Sequence, residues 1–149
     1  MSDFFGTMDT SVTGLSAQRL RMDIISQNIA NASTTKTADG TPYKRKSVLF
    51  QELKPVDFSG YFVDAVNKYN KSTGKGVKVS KIITDDTPGA KEYNPTHPDA
   101  DADGYVEHSN VNIVSEMVNM ISAQRSYEAN VTAFNTTKAM INKTMEINK

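Results

Sequence analysis

At 149 residues, with 17 basic and 17 acidic side chains and no cysteine, the chain can form one modest domain, or a small one with long helical extensions. Its formal charge of zero removes the bulk electrostatic case for a nucleic-acid or anionic-membrane partner. Without cysteine, neither a disulfide framework nor a thiolate metal site can form.

The opening Met1-Ser2-Asp3-Phe4-Phe5-Gly6 lacks the basic and apolar regions of a Sec-type signal peptide. No stretch reaches the ~20 apolar residues of a membrane span, so leaving the cytoplasm would need another export route. Leu15, Met22, Ile25, Ile29 and Ala32, interrupted by Gln18, are spaced in sevens, threes and fours. That places a stripe along a helix, narrow enough for a coiled-coil seam. Gly6 and Gly14 each cost about 1 kcal/mol against Ala, which loosens the first turns. Asn31, Ser33, Thr34 and Thr35 end the helix, because short polar side chains compete for backbone hydrogen bonds.

Residues 36–108 hold all five prolines and six of the eight glycines. Short β-compatible runs stand at 47–50, 61–63 and 77–83, the last fed by a loop at 72–76. Several features imitate functional sites. Asp99, Asp101, Asp103 and Gly104 match the first half of an EF-hand loop, but its twelfth position is Asn110, and Pro95 and Pro98 oppose an entering helix. An Asx-type turn is the better reading. His97 and His108 have no short-spaced histidine partner for a metal, and no nucleophile elbow or P-loop is present. Lys44-Arg45-Lys46 reads as a solvated face or a subunit contact. The chain is therefore expected to be no enzyme and to carry no cofactor, metal or small-molecule substrate.

The last segment carries the clearest periodicity. Ile113, Met117, Met120, Gln124, Tyr127, Val131, Phe134, Lys138, Ile141 and Met145 follow alternating steps of four and three, and eight of the ten are apolar. Asn112 is placed as N-cap, with Glu116 in the first turn where the helix dipole favours a carboxylate. Lys143 and Lys149 suit the opposite end. Charge is sparse here: five charged residues fall in 1–32 and seven in 109–149, against 22 in 33–108. Asn, Gln, Ser and Thr supply 16 residues after position 108, which suits faces covered by another protein molecule as well as it suits a plain polar helix.

The expected architecture is mainly α. Helices in 1–35 and 109–149 pair as one coiled-coil-like hairpin domain, and a partly β module occupies 36–108. Because isolated stripes are marginal, the free subunit is expected to have frayed termini that order on assembly.

Two motifs carry a resemblance. Asn28-Ile29-Ala30-Asn31-Ala32-Ser33-Thr34 resembles the N-terminal signature of the flagellar rod, hook and hook-associated axial proteins. The run from Ser109 through Glu116-Met117 and Ala123-Gln124-Arg125-Ser126-Tyr127-Glu128-Ala129-Asn130 is similar to their C-terminal signature. The segment from Asn94 to Val106, with Pro95, His97, Pro98, Asp99, Asp101, Gly104 and Tyr105, resembles the proximal rod class. Glu107-His108 departs from that pattern.

The resemblance implies a structural subunit of the bacterial flagellar basal body, exported by the flagellar type III apparatus without a cleaved signal and built into the periplasmic drive shaft. It implies contacts with other copies, other rod proteins, and ring or export components. The terminal helices would pair as the inner tube wall, with Leu15, Met22, Ile25, Ile29, Ile113, Met117, Met120, Tyr127, Val131, Phe134, Ile141 and Met145 at assembly surfaces. The amides of Asn28, Asn31, Asn119, Gln124 and Asn130 would bond between subunits. Arg125 and Glu128 would pair with neighbours or with Arg19 and Asp23. Rival readings are another rod or hook-type axial subunit, and a cytoplasmic coiled-coil adaptor or export chaperone.

Overall fold

The structure, a computed structural model, describes residues 2–53 and 76–147. The strand expected at 61–63, most of the loop at 72–76 and Lys149 lie outside those residues. Helix α1 runs Ser2–Ala30, 29 residues, and helix α2 runs Ile113–Ile147, 35 residues. At 1.5 Å per residue they extend about 44 and 52 Å. They pack antiparallel against each other: Asn28 meets Glu116 at one level and Gly14 meets Asn130 at another.

Asn112 caps α2 as expected, its Oδ1 accepting from Ser115 N–H at 3.1 Å. The stop after Ala30 is also as expected: Asn31 Nδ2 folds back onto Gln27 O at 2.9 Å, and 31–33 form a turn. Gly6 and Gly14 do not delay the helix, which already includes both.

Between the helices, the described residues form two antiparallel two-stranded sheets. Strand β1 (Lys46–Glu52) pairs with β2 (Val77–Thr84), with a bulge at Leu49/Phe50. Both strands contain the runs expected from sequence. Strands β3 (Lys91–Tyr93) and β4 (Tyr105–Glu107) form a second, three-residue ladder. Such short strands leave almost no period-two pattern to read.

The seam between α1 and α2 differs from the expected stripe. On α2 the covered or half-covered residues are Glu116, Asn119, Met120, Ala123, Ser126, Tyr127, Asn130, Val131, Phe134, Thr137 and Ile141. Met120, Tyr127, Val131, Phe134 and Ile141 were expected. Alternating with them are Glu116, Ala123 and Thr137, where the apolar pattern favoured Met117, Gln124 and Lys138, all exposed; Asn130 is half-covered beside Val131. On α1 only Ile25 of the expected stripe is buried, beside Ala17, Ile24 and Asn28, while Leu15, Met22 and Ile29 are half-buried.

Small side chains explain the offset. Ala17, Ala123 and Gly14 let the backbones approach, and a Cβ on Gly14 would lie 3.0 Å from Asn130 Oδ1. The period of the pattern was right, but side-chain bulk was a poor guide to which edge of it faces inward.

Candidate assembly site at the helix junction

The largest fully buried side chains include Asn28 and Glu116, at 0% and 1% exposure. Buried polar groups persist only when satisfied, and these are. Asn28 Nδ2 donates to Lys46 O at 2.7 Å and to Glu116 Oε2 at 2.9 Å. Its Oδ1 accepts from Lys46 N–H at 2.9 Å and Tyr43 O–H at 3.0 Å. All four bonds available to an asparagine side chain are thus made.

Glu116 Oε1 accepts from Arg45 Nε and Nη2, at 3.0 and 2.8 Å, and from Asn119 Nδ2 at 3.3 Å. Burial pushes this carboxyl up, but the bonds from Asn28 and Arg45, the guanidinium charge and the Asn119 bond hold it below the ordinary carboxylate value. Burial and the nearby Glu116 charge raise Tyr43. Lys46 lies over the Tyr43 ring, 5.7 Å from its centroid.

Asn110 fastens the middle module to this node. Its Oδ1 accepts from Arg45 N–H at 2.7 Å, and its Nδ2 donates to the carbonyls of Asp85 and Thr87, each at 3.0 Å. The signature ends of α1 and α2, the entry to β1 and the exit from β2 therefore meet at one point. Arg45 belongs to this anchor rather than to a solvated cluster, and Lys44 pairs with Asp86 at 2.7 Å.

The Asn94–Val106 segment closes the β3–β4 hairpin. Gly104 N–H reaches Asp101 O and Asp101 N–H reaches Tyr105 O, each at 2.8 Å. Gly104 adopts φ 79°, a conformation open to glycine, and a Cβ there would lie 3.0 Å from the Tyr93 ring. His97 Nδ1 accepts from Asp99 N–H at 3.1 Å. Asp99 in turn accepts from Thr35 Oγ1 at 2.8 Å, tying the hairpin to the end of α1. Tyr93 and Tyr105 meet edge to face, with centroids 5.2 Å apart. Pro95, Pro98 and Asp101 are exposed.

The amides expected between subunits are largely used within the chain. Asn28 is saturated, Asn31 bonds Gln27 O, Gln124 donates to Glu128 at 3.1 Å, and Asn130 donates to Ser126 O at 2.9 Å. Arg125 and Glu128 are exposed, and among the described residues no ion pair joins them to Arg19 or Asp23. Sequence reasoning missed Arg45, Tyr43 and Asn110, and the signal for them was weak. Only the uncharged character of Asn28 and Asn110 inside the two motifs hinted at buried bonding.

Compared with known proteins, residues 8–36 match the family described as flagella basal body rod protein, and residues 102–147 match the flagellar basal body rod FlgEFG protein C-terminal family. These matches contain both faces of the junction. The chain is 44% identical over 148 residues to the flagellar basal-body rod protein FlgC of Borreliella burgdorferi, covering 96% of each chain. Identity to FlgC of Bacillus subtilis is 45% over 149 residues, covering 97% of this chain and 98% of the relative. The chain belongs to the FlgC family of flagellar basal-body rod proteins. FlgC of Aquifex aeolicus, 39% identical with 98% of each chain covered, extends the likeness through the middle module. The FlgC likeness therefore spans the hairpin sheets as well as the two terminal motifs.

Proposed function

We propose that this chain is a structural, non-catalytic subunit of the proximal rod of the flagellar basal body, assembling through its terminal helices into the periplasmic shaft that transmits torque. The observation that carries this reading is the near-complete coverage by FlgC relatives named as basal-body rod proteins. The geometry supports it. The first three turns of α2 expose Ile113, Val114, Met117, Val118 and Ile121, a contiguous apolar surface of the kind that marks protein contacts.

Other rod proteins and the basal-body ring are the partners this role implies, reached through the flagellar type III exporter. No described helix is long and apolar enough to cross a membrane. The test is deletion and complementation in the bacterium that encodes the chain. Deletion is expected to abolish swimming, and the complementing chain should co-purify with intact basal bodies. A deletion strain that swims normally, with the chain confined to the cytoplasm, would instead favour an adaptor or export chaperone.

A further inference from the structure

Beside the buried node lies a cavity of about 200 Å³, walled by α1, β1 and the first turns of α2. Ile24, Ile25 and Phe50 supply apolar wall, and Arg21, Arg45 and Lys46 bring three cations to the same space. The anion among its lining residues is Glu116, and that carboxylate is already committed. It accepts from Asn28, from Asn119 and from the Nε and Nη2 of Arg45.

Arg45 therefore keeps its Nη1 donors without an acceptor among the described residues. Arg21 is half-buried, yet among the described residues it makes no ion pair and no side-chain hydrogen bond. Exposed Lys44 and Lys143, where water already screens the charge, do have carboxylate partners. Three cations against one carboxylate leave the cavity walls with a net charge of +2. A charge held partly out of water beside apolar side chains is costly unless it is paired.

We propose that this cavity receives an acidic side chain of a neighbouring protein, its carboxylate on Arg21 and the free edge of Arg45. The neighbour's presence rests on the rod-subunit reading above; its chemistry rests on the cavity. The surplus positive charge selects a carboxylate, and a guanidinium fork holds one with two parallel bonds. The apolar wall decides between a side chain and a free inorganic anion. The methylenes of an Asp or Glu stem gain by leaving water against Ile24, Ile25 and Phe50. Phosphate, hydrated on every side, would lose water there without return. Arg45 would then bridge the incoming carboxylate and Glu116, so the contact bears directly on the node that joins the helices to β1.

Arg21→Gln separates docking from folding. It should leave the circular dichroism and urea midpoint of the purified chain unchanged, and cut the chain's recovery in basal bodies by about tenfold or more. Arg21→Lys should restore much of that recovery. Arg21→Glu should abolish swimming, and selection for regained swimming should return an Asp or Glu changed to Lys or Arg in a second protein. Normal recovery of Arg21→Gln overturns the proposal. So does a lowered urea midpoint for that variant, which makes Arg21 a prop of the fold, and so do suppressors confined to this chain. Titrating the purified wild-type chain with inorganic phosphate, followed by NMR of the Arg21 and Arg45 side-chain N–H signals, tests the free anion. Saturable binding with Kd below about 1 mM makes the occupant inorganic and overturns the docking; no saturation supports it. Absence of the wild-type chain from basal bodies is a separate result, which removes the rod reading and this docking with it.

Discussion

Inside the helix junction, Glu116 is kept ionised by donors from three segments: Asn28 in α1, Arg45 before β1, and Asn119 on its own helix. Its proton affinity is lower in the folded state than the ordinary 4.5. The carboxylate therefore contributes stability that is fully present above about pH 4.5 and is lost as pH falls through its folded value. Glu116→Gln should lower stability at pH 7 by about 2–3 kcal/mol, because Arg45 loses its counter-charge and an amide nitrogen replaces an acceptor. The variant should also lose the acid-sensitive limb. Urea unfolding followed by circular dichroism from pH 7 to pH 3 checks both; equal pH profiles for the two proteins would count against this account. Position 116 was legible as a helix-start carboxylate from sequence. Its partner was not, because a bond to Arg45 across 71 residues leaves no trace in local spacing.

For the elements, the lesson concerns which edge of a periodic stripe turns inward. Period 3.6 and the Asn112 cap were readable because they depend on near neighbours. The seam was not, because the α1–α2 approach is set by small residues that a hydrophobicity pattern discounts. Gly14 shows the trade. Replacing it with Ala gains about 1 kcal/mol of helix propensity, but the new Cβ would sit 3.0–3.2 Å from the Asn130 amide, which is itself tied to Ser126 O. Gly14→Ala alone should thus be close to neutral. In an Asn130→Ala background the same change should stabilise by about 1 kcal/mol. A double-mutant cycle by thermal unfolding reads the difference as coupling; strict additivity would show that the close approach costs nothing.

Over the whole molecule, the buried groups are unevenly placed. Asn28, Glu116, Ile24, Ile25 and Ser109 cluster near the junction, whereas Ala17, Ala123 and Thr137 are the buried side chains farther along the seam. Stability should follow the same gradient. In hydrogen exchange on the isolated subunit, amides of 24–30 and 116–123 are expected to be protected longest, and those of 6–14 and 134–146 to exchange early. Uniform protection along both helices would refute the gradient, and with it the expectation that the ends order on assembly. The mainly α hairpin with an inserted β module was recoverable from sequence, since charge distribution and Pro/Gly placement divide the chain at the same borders. The second small sheet and the junction were not, because both depend on contacts between distant segments.

One further consequence comes from how the β1–β2 hairpin lies along α1. At one end it is fixed by Lys46 to Asn28. At the other, Val77 N–H donates to Thr13 Oγ1 at 3.2 Å, with Gly76 close against the Thr13 side chain. Fifteen helical residues cover about 22 Å, and the seven residues of β1 cover nearly the same distance at ~3.3 Å each. The spans match, so the ribbon can act as a brace pinned at two points of the helix. A sideways push on the middle of the chain would then be shared along half of α1 instead of bending it at a single hinge.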